Sequence, residues 1–112
     1  MPVHRLKDVE EVPVTPSHSS AVGQLVTGER IELAVLRYRR GEGAEEHAHP
    51  QEQMLLVLSG RIRMRIGSET HELGPREVAH MPPDVPHSLS VIEDAEVISA
   101  KSLVGGVGHP LD

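Results

Sequence analysis

From Arg61 to Ile66 the chain reads RIRMRI, an alternation with a period of two residues. Successive side chains of a β-strand point to opposite faces, so this stretch sorts Ile62, Met64 and Ile66 from Arg61, Arg63 and Arg65 only if it is extended. Gly67-Ser68 then reads as a two-residue turn into ETHEL (69–73), which predicts a hairpin. The rest of the chain agrees. RIELAVLRY (30–38) is a strand ended by the Arg39-Arg40-Gly41-Glu42-Gly43 loop, and QMLLVLSG (53–60) is a nearly continuous apolar run that suits a strand buried on both faces. GPREVAHMPPDVPHSLSVI (74–92) and AEVISAKSLV (95–104) supply further strands, the Pro-rich MPPDVP marking a turn. No segment shows a capped 3.6-residue apolar repeat. Eight or so short strands predict an all-β domain, an antiparallel barrel or two-sheet sandwich.

At 112 residues the chain is expected to form one domain. Residues 1–24, with the Pro/Ser-rich PVTPSHSSAVG, read as an N-terminal arm and loop. Residues 25–104 are the barrel, and GGVGHPLD (105–112) reads as a flexible tail. The net charge is −6 and Tyr38 is the single residue among Phe, Trp and Tyr, so neither phosphate-neutralising clusters nor stacking rings are present and nucleic acid is not an expected partner. The absence of cysteine removes thiolate ligands and nucleophiles. No apolar run reaches the roughly 18–20 residues of a membrane span. Charges occupy the N-terminus MPVHRLKDVEE where a signal peptide would be apolar, so a cytoplasmic location is expected.

Residues 47–53 read HAHPQEQ. On a strand His47 and His49 share a face, and Gln53 joins them if the extended backbone continues through Pro50. Glu52 then points away; a bulge near Pro50 would reverse that parity and make Glu52 the ligand instead. Imidazoles are the commonest ligands for divalent transition metals. Two on one face offer adjacent coordination corners, and His87, opening a strand after PPDVP, is the candidate third.

These residues sit within two longer patterns. Gly41-x5-His47-x-His49-x3-Gln53-x6-Gly60 resembles the first motif of the cupin superfamily, with Gln in place of its Glu. Gly74-x7-Pro82-x-Asp84-x2-His87 resembles the second, with Asp84 for its Gly, Val91 for its Asn and a first spacing two residues longer. The segment Arg61–Leu73 between them has the short hairpin length of small bacterial cupins. The resemblance spans about Arg30 to Val104. It implies a small antiparallel cupin barrel (a double-stranded β-helix, or jelly roll) whose mouth holds one divalent transition metal, Zn, Ni, Fe or Mn, on His47, His49, Gln53 and His87. It also implies a homodimer, since such barrels pair or exchange N-terminal strands.

Three imidazoles and an amide are neutral, so such a site keeps the full +2 charge of its metal, which favours Lewis-acid work on a small polar or anionic substrate. Gln at this position resembles cupins that open unsaturated uronates and some polyketide cyclases, which implies an isomerase, lyase or cyclase. An iron- or nickel-dependent dioxygenase and a non-catalytic ligand-binding or sensing module are the alternatives. In the uronate-opening cupins a catalytic Asp lies on the last strand; alignment puts Ser99 there, with Lys101 two residues on. Lys101, if desolvated, is the candidate base, and Tyr38 a candidate to present its hydroxyl to the cavity. The Arg61/Arg63/Arg65 face is expected to be solvated or subunit-facing, although guanidinium forks can clamp a carboxylate. His80 is expected in cross-strand packing, His71 exposed, and His4, His18 and His109 in loops and tails. Met54, Met64 and Met81 read as core filler.

Overall fold

The computed structural model describes residues 2–112, and among them the one helical element is a single 3-10 turn, Leu6–Asp8. Everything else regular is antiparallel β: β1 (Val12–Pro13), β2 (Val22–Thr27), β3 (Ile31–Tyr38), β4 (Gly43–His47), β5 (Gln53–Ile66), β6 (Glu69–Leu73), β7 (Val78–Met81) and β8 (His87–Ser102). The predicted hairpin is β5–β6, and Gly67 takes the positive φ (59°) that its tight turn requires.

Two long strands organise the barrel. QMLLVLSG and RIRMRI, expected as separate strands, are one 14-residue strand, β5, and the two segments on either side of Glu93-Asp94 are one 16-residue strand, β8. The first half of β5 pairs with the second half of β8, in a sheet continued by β7 on one side and by β3, β2 and β1 on the other. The other halves pair with each other between β6 and β4. Each long strand therefore serves both sheets, and it turns from one to the other where the β5–β8 register shifts between Val57 and Ile62. Gly60 makes the turn possible. Its φ is +83°, and a Cβ there would lie 2.1 Å from the Asp94 carbonyl oxygen.

The inward faces form the core. Ile62 and Met64 are buried and Arg61, Arg63 and Arg65 face out, as their alternation predicts. The first half of β5 is buried on one face only: Leu55 and Val57 point in, while Met54 (48% exposed) and Leu58 (42%) lie outside. Met54 is thus not core filler, unlike Met64 and Met81, each 1% exposed. The N-terminal segment is part of the barrel, contributing β1, β2 and the buried Val14 and Ala21. The C-terminal segment departs most from expectation. The Thr15 amide donates to the Pro110 carbonyl (2.7 Å), Gln51 Nε2 donates to the Val107 carbonyl (2.7 Å), and His109 is buried. A Gly-rich tail carries no periodic signal of its own, so only these partners from distant segments hold it.

Candidate metal centre

Four elements deliver the predicted ligands to one place. His47 ends β4 and pairs with His87 at the start of β8; His49 lies in the connection to β5; Gln53 opens β5. The ring centroids are 4.5 Å apart for His47–His87, 4.8 Å for His49–His87 and 5.7 Å for His47–His49. One ring nitrogen from each histidine lies within 4.8 Å of the others, so the cluster could hold a metal ion.

The hydrogen bonds set the tautomers. Each Nδ1–H donates to a backbone carbonyl two residues away: His47 to Glu45 (2.6 Å), His49 to Gln51 (2.9 Å) and His87 to Val85 (2.9 Å). A neutral imidazole has one N–H, so all three Nε2 atoms are bare acceptors. Protonation does not relieve this readily. Burial pushes the His87 pKa down to about 4 and lowers those of His47 and His49, and the positive charge of Lys101 adds to the shift in each. Gln53 Oε1 sits 3.0 Å from His49 Nε2, two acceptors facing each other, and His87 Nε2 is buried without any partner. Convergent lone pairs with no donor among them fit a cation, and backbone-anchored Nδ1–H groups are the usual support of metal-binding histidines.

Glu52 points the other way, its carboxylate 2.8 Å from His80 Nε2 on the exposed surface. The backbone is not extended through Pro50, since residues 48–52 lie outside the strands and bend at Pro50 and Gln51, yet Gln53, at the start of β5, faces the histidines as expected. Position 84 is explained as well. Asp84 adopts φ +66°, a conformation the family motif fills with Gly and Asp tolerates, and its amide donates to the His49 carbonyl (2.8 Å).

Behind the histidines is a small cavity of about 50 Å³ that opens to solvent, lined by His47, Gln53, His87, Lys101, His109, Tyr38 and apolar side chains among others. Among the described residues no carboxylate lines it. Lys101 is 4% exposed and lies between Glu32 and Gln53 in one inward-facing row across β3, β8 and β5. Burial lowers its pKa to about 8, partly opposed by Glu32. Tyr38 has its ring in the core and its hydroxyl 3.3 Å from Ser19 Oγ, and burial raises its pKa. Arg61 and Arg63 share Glu72 (3.4 and 2.7 Å) on the outer surface, so their clamp is already filled.

Two histidines assigned to loops belong to this region. His18 stacks on His47, with centroids 4.9 Å apart and planes 10° from parallel. His109 Nδ1 lies 2.6 Å from Glu32 Oε1 and its Nε2 2.7 Å from Ser99 Oγ. Neither lies in a strand pattern, and no local spacing points to them.

Comparison with known proteins agrees with this geometry. A family model described as Cupin domain matches residues 34–100, most of the chain, and the protein belongs to the cupin family. Its described residues form one small cupin domain with a three-histidine cluster. It is 39% identical over 56 residues to the H2HPP isomerase of Bacillus subtilis; the match covers 49% of this chain and only 24% of that protein. An RmlC-like cupin from Shewanella frigidimarina superimposes with a TM-score of 0.82 at 15% identity, over 93% of this chain and 92% of its own. KdgF from Halomonas sp. gives 0.80 at 18% identity over 91% and 93%, and the polyketide cyclase RemF from Streptomyces resistomycificus 0.80 at 18% over 98% and 82%. These likenesses establish the fold.

Proposed function

We propose that the protein is a non-redox enzyme of the isomerase, lyase or cyclase type, using one divalent transition metal held by His47, His49, His87 and Gln53 on a small anionic substrate. The observation that carries this reading is the charge pattern of the cavity: the neutral acceptors of His47, His49, His87 and Gln53 converge at its mouth, Lys101 stands in its wall, and Glu32, the carboxylate that acts on Lys101, lies outside the lining. When bound, Zn, Ni, Fe or Mn would supply Lewis-acid polarisation of a substrate oxygen. Lys101 holds the substrate's anionic group and stabilises negative charge that develops on it. The apolar walls exclude water, which strengthens both interactions. The Tyr38 hydroxyl, beside Ser19, orients a polar group of the substrate. An isomerase among its relatives and a cyclase among its structural neighbours support this class of chemistry.

Metal content by mass spectrometry, in wild type and His49→Ala, tests the site, followed by assay of the metal-loaded protein on hydroxy acids, keto acids and uronates. Turnover that falls at least 100-fold in Lys101→Met is expected. Oxygen uptake by iron-loaded protein would instead favour the dioxygenase reading. One observation favours a second reading, a non-catalytic binding module: among the described residues no carboxylate lines the cavity to act as a general acid or base. Binding of a small carboxylate without conversion would establish that reading.

The proposed assembly is a homodimer. Across the outer face of the larger sheet, Val35, Ile98, Leu56 and Val78 stand opposite one another on β3, β8, β5 and β7, with Leu33, Ala100 and Met54 in the adjacent row. Leu33, Met54 and Val78 are 43%, 48% and 56% exposed. A continuous apolar surface of this kind suits a second copy related by a two-fold axis.

A further inference from the structure

Inside the barrel four side chains form a directed chain of hydrogen bonds. Glu32 Oε2 accepts from Thr27 Oγ1 (2.6 Å), and Oε1 accepts from the His109 amide and from His109 Nδ1–H, each at 2.6 Å. Burial alone would raise the Glu32 pKa, but these donors outweigh it and keep the carboxyl ionised, hence acceptor-only. His109 therefore carries its proton on Nδ1. Burial lowers its pKa to about 4, with Lys101 adding to the shift, so Nε2 is bare and accepts the Ser99 hydroxyl hydrogen (2.7 Å). With that hydrogen committed, Ser99 Oγ can only accept from Gln53, and Gln53 Nε2 donates to it at 2.8 Å. The amide is left with one orientation, its carbonyl oxygen toward the three imidazoles.

The order Ser–His–Glu is also that of an activated serine nucleophile. Ser99 does not serve as one: it is 0% exposed and its Oγ is enclosed between Gln53 and His109. A substrate in the cavity meets Gln53, Lys101 and His109, not Ser99.

We propose that Ser99, His109 and Glu32 are positioning residues for Gln53, fixing its carbonyl oxygen as a cation donor and placing a buried negative charge at the far end of the chain that polarises it. Hydrogen bonds in series polarise one another, and an ionic terminus strengthens them. The carboxylate that the family motif carries at position 53 is thereby replaced by an amide tied to a remote carboxylate. Because His109 comes from the C-terminal segment, docking of that segment completes the site. Gly108 permits the approach: a Cβ there would lie 2.9 Å from Glu32 Oε1.

The inference rests on the metal-site reading, and cobalt(II) binding separates the two. Wild type, Gln53→Ala, Ser99→Ala, Glu32→Gln and Ser99→Ala/Gln53→Ala would be titrated with Co²⁺, following affinity and the visible d–d bands, with His49→Ala as the site control. Glu32→Gln keeps the shape of the chain and, with its amide oxygen toward His109 and its NH2 donating to Thr27 Oγ1, its contacts, while removing the charge, so it remains informative if Ser99→Ala folds poorly. Expected are an affinity loss of about 10–100-fold in Ser99→Ala, a smaller loss in Glu32→Gln, bands shifted toward those of Gln53→Ala, and no further loss in the double variant. Nitrogen-15 spectra should show His109 as the Nδ1–H tautomer. Wild-type affinity and bands in both Ser99→Ala and Glu32→Gln, or an Nε2–H tautomer at His109, would overturn the relay while leaving the metal site standing. Absence of Co²⁺ binding by wild type would overturn the metal-site reading, and the relay with it.

Discussion

Glu32 and His109 are 77 residues apart in sequence, and their side chains meet at 2.6 Å inside the barrel, with side-chain exposures of 9% and 3%. This pair ties the C-terminal segment to β3 and makes its docking sensitive to acid. The folded pKa of His109 is lowered to about 4 by burial, and that of Glu32 is also lowered. Both groups thus contribute stability that is present above their unfolded values, near 6.5 and 4.3, and is lost as pH falls through the folded ones. Amide exchange in residues 105–110 is expected to accelerate as pH drops from about 6.5 to 4, beyond the intrinsic pH effect. A His109→Gln variant should show a flatter response over the upper part of that window.

His87 Nε2, buried without a partner, sets a second expectation. An unsatisfied buried polar atom costs about 1–3 kcal/mol, so the metal-free protein should gain little from keeping it. His87→Leu is expected to unfold within about 1 kcal/mol of the metal-free wild type and to lose the stabilisation that added Zn²⁺ gives wild type. Denaturant melts with and without Zn²⁺ measure both. A Zn²⁺ effect undiminished in His87→Leu would remove His87 from the ligand set.

Gly60 has no substitute at the corner of β5. Ala there would adopt a strained φ of +83° and place its Cβ 2.1 Å from the Asp94 carbonyl oxygen. A loss of at least ~2 kcal/mol is expected, since strain of this kind alone costs of order 1–3 kcal/mol. Urea unfolding checks it, with Gly41→Ala as a comparison whose Cβ meets nothing within 4 Å.

Asp84, at φ +66°, allows the opposite experiment. Asp84→Gly is expected to leave stability within about 1 kcal/mol of wild type, and Asp84→Ala to cost roughly 1–2 kcal/mol, because Ala has no polar group to support the left-handed backbone. Equal stability of the two variants would contradict this account.

The outer face of the larger sheet supplies the test of assembly. Met54→Lys together with Val78→Lys alters two side chains already half exposed, so the barrel should remain folded. Light scattering is expected to report a dimer for wild type and a monomer for this variant. A wild-type monomer at all concentrations would dispose of the dimer.

The strands and the motif histidines could be read from the sequence because both depend on local geometry. A period of two sorts Ile62 from Arg61 without reference to the rest of the fold, whereas Gln53 reaches the histidines past a bend at Pro50 and Gln51 that this period does not describe. Family spacing marked out His47, His49 and His87. The structure alone joined the halves of β5 and β8, since continuity through a bulge depends on the strand opposite. It alone exposed Met54, because burial on a second face requires a second layer that this side of the barrel lacks. His109 was hidden for a related reason. Its partners Glu32 and Ser99 lie on β3 and β8, and only the register of those strands brings them to one place. Local periodicity selects which side chains face inward; long-range pairing selects which of them meet, and the chemistry of this cavity depends on those meetings.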